Sequence, residues 1–88
     1  MEFLRSELFR RDFKQLPREI QDRTEKQFTL LLKNPRHPSL QTKKMKGKWG
    51  RMGVYEARVT PGYRFTFQIK DNFYFLRRIG PYDILRQP

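Results

Sequence analysis

Two runs of alternating apolar and polar residues flank Thr60-Pro61-Gly62, and they constrain the fold of this 88-residue chain most strongly. Apolar residues occupy every second position of both runs: Tyr55, Ala57, Val59, Tyr63, Phe65 and Phe67. A period of two is typical of strands that are buried on one face. Because proline and glycine between such runs are typical of a turn, the sequence predicts a β-hairpin with Thr60-Pro61-Gly62 as its loop.

The polar face of this hairpin carries charges that packing alone would not select. With that loop, the predicted cross-strand pairs are Val59 with Tyr63, Arg58 with Arg64, and Glu56 with Thr66. Like charges directly opposite each other on a sheet destabilise it by roughly 0.2–1 kcal/mol. The facing arginines therefore predict that this surface meets an anion, and a phosphate is the natural candidate.

The charge balance of the whole chain indicates the same kind of ligand. There are 20 Lys and Arg against 9 Asp and Glu, which gives a net charge of +11. Such a field attracts polyanions, so nucleic acid is the leading candidate partner, with an acidic protein or a merely solubilising surface as alternatives. An aromatic content of 15% distinguishes the chain from a disordered basic tail. A single domain over residues 1–88 is predicted.

Several chemistries are disfavoured by what the sequence lacks. The chain has no cysteine, so it has no disulfide, thiol nucleophile or Cys-ligated zinc. His37 is its single histidine, and we therefore expect no metal site and no cofactor. Hydrophobic runs are short and the amino terminus lacks an apolar signal stretch, so a cytoplasmic protein with no membrane partner is expected.

Two amphipathic helices are predicted in the first half of the chain, after a short strand over residues 1–5. Ser6 is a candidate N-cap, and it precedes a helix with the apolar residues Phe9, Phe13 and Leu16. Pro17 ends that helix and suits the first turn of the next one. The second helix stops at Asn34-Pro35, because the residue before proline resists the helical conformation.

Strands dominate the second half of the predicted structure. A strand is predicted over residues 42–45, followed by a loop from Gly47 to Gly53, the hairpin, and a centrally placed strand from Phe73 to Ile79. Asp71-Asn72 supplies the turn before this last strand. Helices followed by strands predict an α+β domain in which an N-terminal helical hairpin packs on a small antiparallel β-sheet.

Four segments in this order resemble the RelE/ParE superfamily of bacterial type II toxins over essentially the whole chain. They are Lys43-Lys44-Met45-Lys46-Gly47, Tyr55-Glu56-Ala57-Arg58, Gly62-Tyr63-Arg64-Phe65 and Arg78-Ile79-Gly80-Pro81-Tyr82-Asp83. The resemblance implies a RelE-like fold and neutralisation by a cognate antitoxin. It also implies one of two activities, because most RelE-like members cut messenger RNA in the ribosomal A site whereas ParE-like members act on DNA gyrase.

The hairpin residues favour the RelE-like branch, since metal-free RNA cleavage needs a base, cationic groups around the phosphate, and an acid. Glu56 is the candidate base, with an exposed salt bridge to a neighbouring arginine as the alternative. Arg58 and Arg64 are the candidate phosphate ligands, and Arg64 matches the arginine that RelE-like toxins use there. Tyr82 stands where RelE-like toxins often carry histidine or arginine. It is the candidate acid or stacking residue, with simple packing at the sheet edge as the alternative.

A basic run that contains one tryptophan is the predicted RNA-binding surface, because cations track the backbone and an aromatic ring stacks on a base. The candidate RNA-binding residues are Lys43, Lys44, Lys46, Lys48, Trp49, Arg51, Arg77 and Arg78. The alternative for Trp49 is burial in the core. The sequence thus predicts a ribosome-dependent endoribonuclease toxin, with a gyrase inhibitor or a non-catalytic nucleic-acid-binding module as alternatives.

Overall fold

The computed structural model describes all 88 residues of the chain. Its helices are α1 (Glu7–Lys14), α2 (Arg18–Lys33) and α3 (Gly47–Arg51). Its strands are β1 (Glu2–Arg5), β2 (Lys43–Lys44), β3 (Val54–Thr60), β4 (Tyr63–Lys70) and β5 (Phe73–Pro81). Short 3₁₀ turns span Pro38–Leu40 and Tyr82–Arg86.

The five strands form one sheet in the order β1-β5-β4-β3-β2. The predicted α+β class and the N-terminal helical hairpin are confirmed, and β5 is paired on both sides as its apolar sequence predicted. The sheet is mixed rather than wholly antiparallel, because β1 pairs parallel to β5 whereas the other pairs are antiparallel. Tight turns impose antiparallel pairing only on consecutive strands, and β1 is separated from β5 by the rest of the fold.

The helix boundaries follow the predicted signals closely. Ser6 Oγ accepts a hydrogen bond from the Phe9 backbone N–H at 3.0 Å, which confirms the N-cap of α1. The same hydroxyl donates to the Arg77 carbonyl at 3.0 Å, so the start of α1 is attached to β5. Pro17 precedes α2, and α2 ends immediately before Asn34-Pro35. No helix has the length and apolar character needed to span a bilayer.

One face of the sheet carries the core, where α1 and α2 pack on it. Phe28 of α2 is central to this core, because its ring lies 4.7 Å from the Phe3 ring and 5.1 Å from the Phe65 ring between centroids. Phe9, Phe67 and other buried apolar residues complete the cluster. The other face, here called the outer face, presents the alternate positions of the middle strands, among them Glu56, Arg58, Arg64, Thr66 and Gln68.

Two details differ from the sequence prediction. The pairs Arg58 with Arg64 and Glu56 with Thr66 are confirmed, but the pairing of Val59 with Tyr63 is wrong. Tyr63 pairs with Thr60, because a β-bulge between Arg58 and Thr60 shifts the register just before the loop. The predicted loop from Gly47 to Gly53 is also wrong, since most of it forms α3.

Asp12 of α1 connects the helical layer to β5 through three hydrogen bonds. Its carboxylate accepts from Arg78 Nε at 2.9 Å, Arg78 Nη2 at 3.1 Å and the Ile79 backbone N–H at 3.1 Å. The hydrogen bond to Asp12 is the main cause that raises the pKa of Arg78. Because that pKa is raised, the contribution of Arg78 to stability is complete below the ordinary arginine value and is lost only as the pH rises above it.

We expect Asp12→Asn to lower the free energy of unfolding by about 2 kcal/mol, because the amide cannot satisfy the same partly buried donors. Denaturant unfolding at neutral pH measures this change. Asp22→Asn is the matched control, since Asp22 contacts Arg18 at 3.4 Å with both side chains largely exposed, and such surface pairs contribute at most about 1 kcal/mol. Equal effects of the two substitutions would contradict a structural role for Asp12.

Candidate functional site on the outer face of the sheet

The candidate site occupies neighbouring positions of β3 and β4 on the outer face. Arg58 lies directly opposite Arg64, and Glu56 lies between Thr66 on β4 and Lys43 on β2. Directly opposed residues of an antiparallel pair have Cβ atoms about 4.5–5.5 Å apart. The register therefore places Arg58 and Arg64 side by side, with Glu56 two residues before Arg58 on the same face of β3.

Arg58 holds the site's unsatisfied hydrogen-bond donor. Its Nε atom is the one buried side-chain nitrogen or oxygen in the chain that has no hydrogen-bond partner. Native structures satisfy nearly all such buried groups, and a guanidinium stays charged at any physiological pH. Because this Nε is enclosed, an anion on the outer face would instead meet the terminal guanidinium nitrogens of Arg58, whose charge has no carboxylate partner in the structure.

Arg64 has a structural task as well as free donors. Its Nη1 atom donates to the carbonyl oxygens of Thr60, Pro61 and Tyr63 at 2.8, 2.9 and 3.1 Å. These contacts hold the hairpin loop, and they fix the guanidinium in place. The hydrogen bonds of Arg64 all use Nη1, which leaves the Nε and Nη2 donors for a ligand.

Tyr82 begins the last 3₁₀ turn and lies against Arg64. The Arg64 Cζ atom is 5.1 Å from the centroid of the tyrosine ring, within the range of a cation–π contact. The residue remains 58% exposed, so Tyr82 is accessible to a ligand. Gly80 near the end of β5 leaves room for this 3₁₀ turn, because a Cβ atom there would come within 2.8 Å of Ile84 Cγ2.

Glu56 is buried. The alternative drawn from the sequence, an exposed salt bridge to a neighbouring arginine, required an exposed side chain. The residue is 8% exposed, and the four ion pairs of the structure do not include it. The salt-bridge alternative for Glu56 is therefore wrong. In the strand register the residue lies between Lys43 and Thr66, two positions before Arg58 on β3.

The predicted basic run surrounds one side of this site. Lys43, Lys44, Lys46, Lys48 and Arg51 are all exposed. Trp49 is half-buried, with Lys48 Nζ 4.9 Å and Arg77 Cζ 5.7 Å from its ring centroid. Trp49 is therefore neither fully buried in the core nor fully exposed. Its role in binding RNA stays a prediction.

Arg77 and Arg78 are more constrained than their sequence positions suggested. Arg77 donates from Nε to the Pro88 carbonyl and from Nη1 to Gln68 Oε1, both at 2.9 Å. Arg78 is held by Asp12, a partner that sequence reasoning missed because Asp12 looks like any polar residue on the exposed side of a helix. RNA binding by these two arginines stays a prediction.

Comparisons with known proteins agree on the fold. No protein-family model matches the chain, and no curated protein matches it in sequence. Among solved structures, YafQ from E. coli strain BL21(DE3) has a TM-score of 0.77 at 21% identity, with 94% of each chain covered. The YoeB/ParE toxin from Agrobacterium tumefaciens has a TM-score of 0.76 at 11% identity, with 93% of this chain and 99% of that chain covered.

A third similar structure contains a partner. It is the RelB-RelE antitoxin-toxin complex from Methanococcus jannaschii, with a TM-score of 0.73, 20% identity and 94% of each chain covered. These coverages extend over nearly the whole chain, helices and sheet together. The chain therefore has the fold of the RelE-, YafQ- and YoeB-type toxins, as the resemblance in its sequence implied.

Proposed function

We propose that this protein is the toxin of a type II toxin-antitoxin system and acts as a ribosome-dependent endoribonuclease in the cytoplasm. The observation that carries the proposal is that Arg58 stands directly opposite Arg64 and that neither guanidinium has a carboxylate partner in the structure. Two facing cations with free donors, near a carboxylate on the same strand, suit a phosphodiester in which charge develops. A ParE-like gyrase inhibitor would bind protein and would not need this combination.

The arrangement supports attack by the ribose 2′-hydroxyl on the adjacent phosphorus. Glu56 takes the hydroxyl proton, and the new O–P bond forms as the bond from phosphorus to the 5′-oxygen breaks. Arg58 and Arg64 stabilise the charge that builds on the non-bridging oxygens. Tyr82 gives its proton to the leaving 5′-oxygen. The products are a 2′,3′-cyclic phosphate and a 5′-hydroxyl end, and the step uses neither a metal nor a cofactor.

We infer ribosome dependence because a pair of arginines on an open sheet face would by itself contact little of the message. The exposed cations from Lys43 to Arg51 suit contacts with RNA backbone, which supply affinity without fixing one reactive conformation. The ribosome would hold the message so that the 2′-hydroxyl is in line with the leaving oxygen. The neutralising partner would be a cognate antitoxin, as in the complexes that similar structures contain.

The test is a ribosome-bound message with a single 2′-deoxynucleotide at the position that is cut. Cleavage there should stop, because the nucleophile is missing, whereas a deoxynucleotide one position upstream should leave cleavage intact. Continued cutting at the deoxy position would contradict the 2′-hydroxyl mechanism. An intact all-ribose message together with loss of DNA supercoiling by gyrase would instead support the ParE-like function.

A further inference from the structure

Two donors on the outer face converge on one oxygen atom of the chain itself. Thr66 Oγ1 donates to the backbone oxygen of Pro88 at 3.1 Å, and Arg77 Nε donates to the same oxygen at 2.9 Å. Thr66 and Pro88 are both buried. Gln87 and Pro88, here called the strap, therefore cover a site that has one charged and one neutral donor.

Neither donor depends on the strap for its position. The Thr66 hydroxyl oxygen accepts from the Arg78 backbone N–H at 3.1 Å, so its single proton is left for an acceptor on the other side. Arg77 Nη1 donates to Gln68 Oε1 at 2.9 Å, and Gln68 Nε2 donates to the Met52 carbonyl oxygen at 2.8 Å. The site is therefore preorganised for an oxygen acceptor, whichever molecule supplies that oxygen.

The charge of this site favours an anionic oxygen. Arg77 takes part in none of the four ion pairs of the structure, so its guanidinium has no side-chain carboxylate as a partner. Hydrogen bonds from a guanidinium to an ionised oxygen are about twice as strong as those between neutral groups. A phosphate oxygen would therefore bind these two donors more strongly than a neutral carbonyl oxygen would.

The site lies next to the arginine pair in the direction of the candidate base. Thr66 follows Arg64 by two residues on the same face of β4, and a strand rises about 7 Å over that interval. Glu56 faces Thr66 just as Arg58 faces Arg64. The nucleotide whose 2′-hydroxyl attacks would lie on this side, and the phosphate on its 5′ side would come to Thr66.

We propose that Thr66 and Arg77 form a second phosphate subsite, which takes the phosphate on the 5′ side of the attacking nucleotide and which the strap occupies in the free protein. This assignment rests on the proposed function, because the position of Glu56 sets the direction of the RNA. The strap competes with RNA for the same two donors. It therefore lowers the affinity for any RNA that does not fill both phosphate sites.

The test uses a dinucleotide probe whose first ribose carries a 2′-O-methyl group, so that the probe cannot be cut. One form of the probe has a 5′-phosphate and the other form lacks it, and NMR titration measures their affinity for the full chain. Removal of the 5′-phosphate should weaken binding about tenfold, as the loss of a charge-assisted hydrogen bond does. The Gln87 amide, which donates to the Ile84 carbonyl oxygen at 3.1 Å, should exchange its hydrogen faster only with the phosphorylated probe.

Two variants assign this effect to the subsite. Arg77→Gln should bind the two probes about equally, because the charged donor is missing. Arg36→Gln is the matched control, since Arg36 is exposed in the loop that follows α2 and also loses one positive charge. It should keep the tenfold difference between the probes.

Three results would overturn this assignment. One is equal affinity of the unaltered protein for both probes, and another is a tenfold difference that persists in the Arg77 variant. The third is unchanged or slower exchange of the Gln87 amide with the phosphorylated probe, because the strap would then not be displaced. Cleavage of a ribosome-bound message by the unaltered protein is measured in parallel. If the message stays intact while the protein distinguishes the two probes, the nuclease function fails and the phosphate subsite stands.

Discussion

Arg58→Ala is expected to lower the rate of message cleavage on the ribosome by on the order of 10²–10³, as the loss of one preorganised charge contact typically does. Arg58 is a cleaner probe of the site than Arg64, because Arg64 also holds the hairpin loop through three carbonyl oxygens. The fold should survive the change, since the Arg58 side chain leaves a buried Nε without a partner. Single-turnover cleavage with saturating protein measures the chemical step directly.

Arg36→Ala is the control for charge, because Arg36 is exposed in the loop that follows α2. Both substitutions remove one positive charge, so both should weaken nonspecific RNA binding to a similar, small extent. Only Arg58→Ala should slow the cleavage step at saturation. If the Arg58 variant cleaved at the unaltered rate, Arg58 would not be a ligand of the phosphate during cleavage.

Gly50→Ala is expected to lower the free energy of unfolding by about 3 kcal/mol, at the upper end of the range for overpacked sites. A Cβ atom at Gly50 would lie 2.0 Å from the Met45 carbonyl oxygen and 3.1 Å from its carbonyl carbon. Both are backbone atoms that cannot rotate away, so α3 must shift from the segment before it. Chemical denaturation measures the loss, and the shift of α3 would also move Trp49, which lies on that helix.

Gly62→Ala is the control for Gly50→Ala. A Cβ atom at Gly62 meets nothing within 4 Å, and the backbone there does not have a positive φ. Its effect should lie within about 0.5 kcal/mol, with a small gain in stability from the less flexible unfolded chain. If both substitutions changed stability equally, close packing of α3 on Met45 would not be the reason for glycine at position 50.

The hairpin was predictable because its signals are local. Alternation of apolar residues and the Pro61-Gly62 turn set the register to within the one bulged position, and the register alone placed Arg58 opposite Arg64. The helix boundaries were predictable for the same reason, since Ser6 and Pro17 act on their immediate neighbours.

Features that depend on distant parts of the chain were not predictable. The hydrogen bonds between Asp12 and Arg78 connect α1 to β5. Neither residue has a sequence neighbour that indicates this pairing. Parallel pairing of β1 with β5 likewise depends on how the helices cross the sheet. Helix α3 was missed because its glycines suggested a loop, whereas Gly50 is there to let the backbone approach Met45.

The candidate site depends both on local sequence signals and on contacts between distant parts of the chain. Arg58, Arg64, Glu56 and Tyr82 were named from their positions in the motifs, and the structure brings Arg58 opposite Arg64 and Tyr82 onto Arg64. The burial of Glu56 and the use of Arg64 Nη1 by the loop carbonyls required the folded chain. These contacts decide which donors remain for a phosphate.

Ribosome-dependent cleavage is tested by adding the purified protein to a translating cell extract and mapping the 5′ ends of the messages. In a parallel control reaction, the protein is incubated with the same RNA in the absence of ribosomes. We expect new 5′-hydroxyl ends within translated codons, which are absent from the ribosome-free RNA and from the reaction with the Arg58→Ala variant. Messages that remain intact in the translating extract would contradict the assignment of this protein as a ribosome-dependent endoribonuclease.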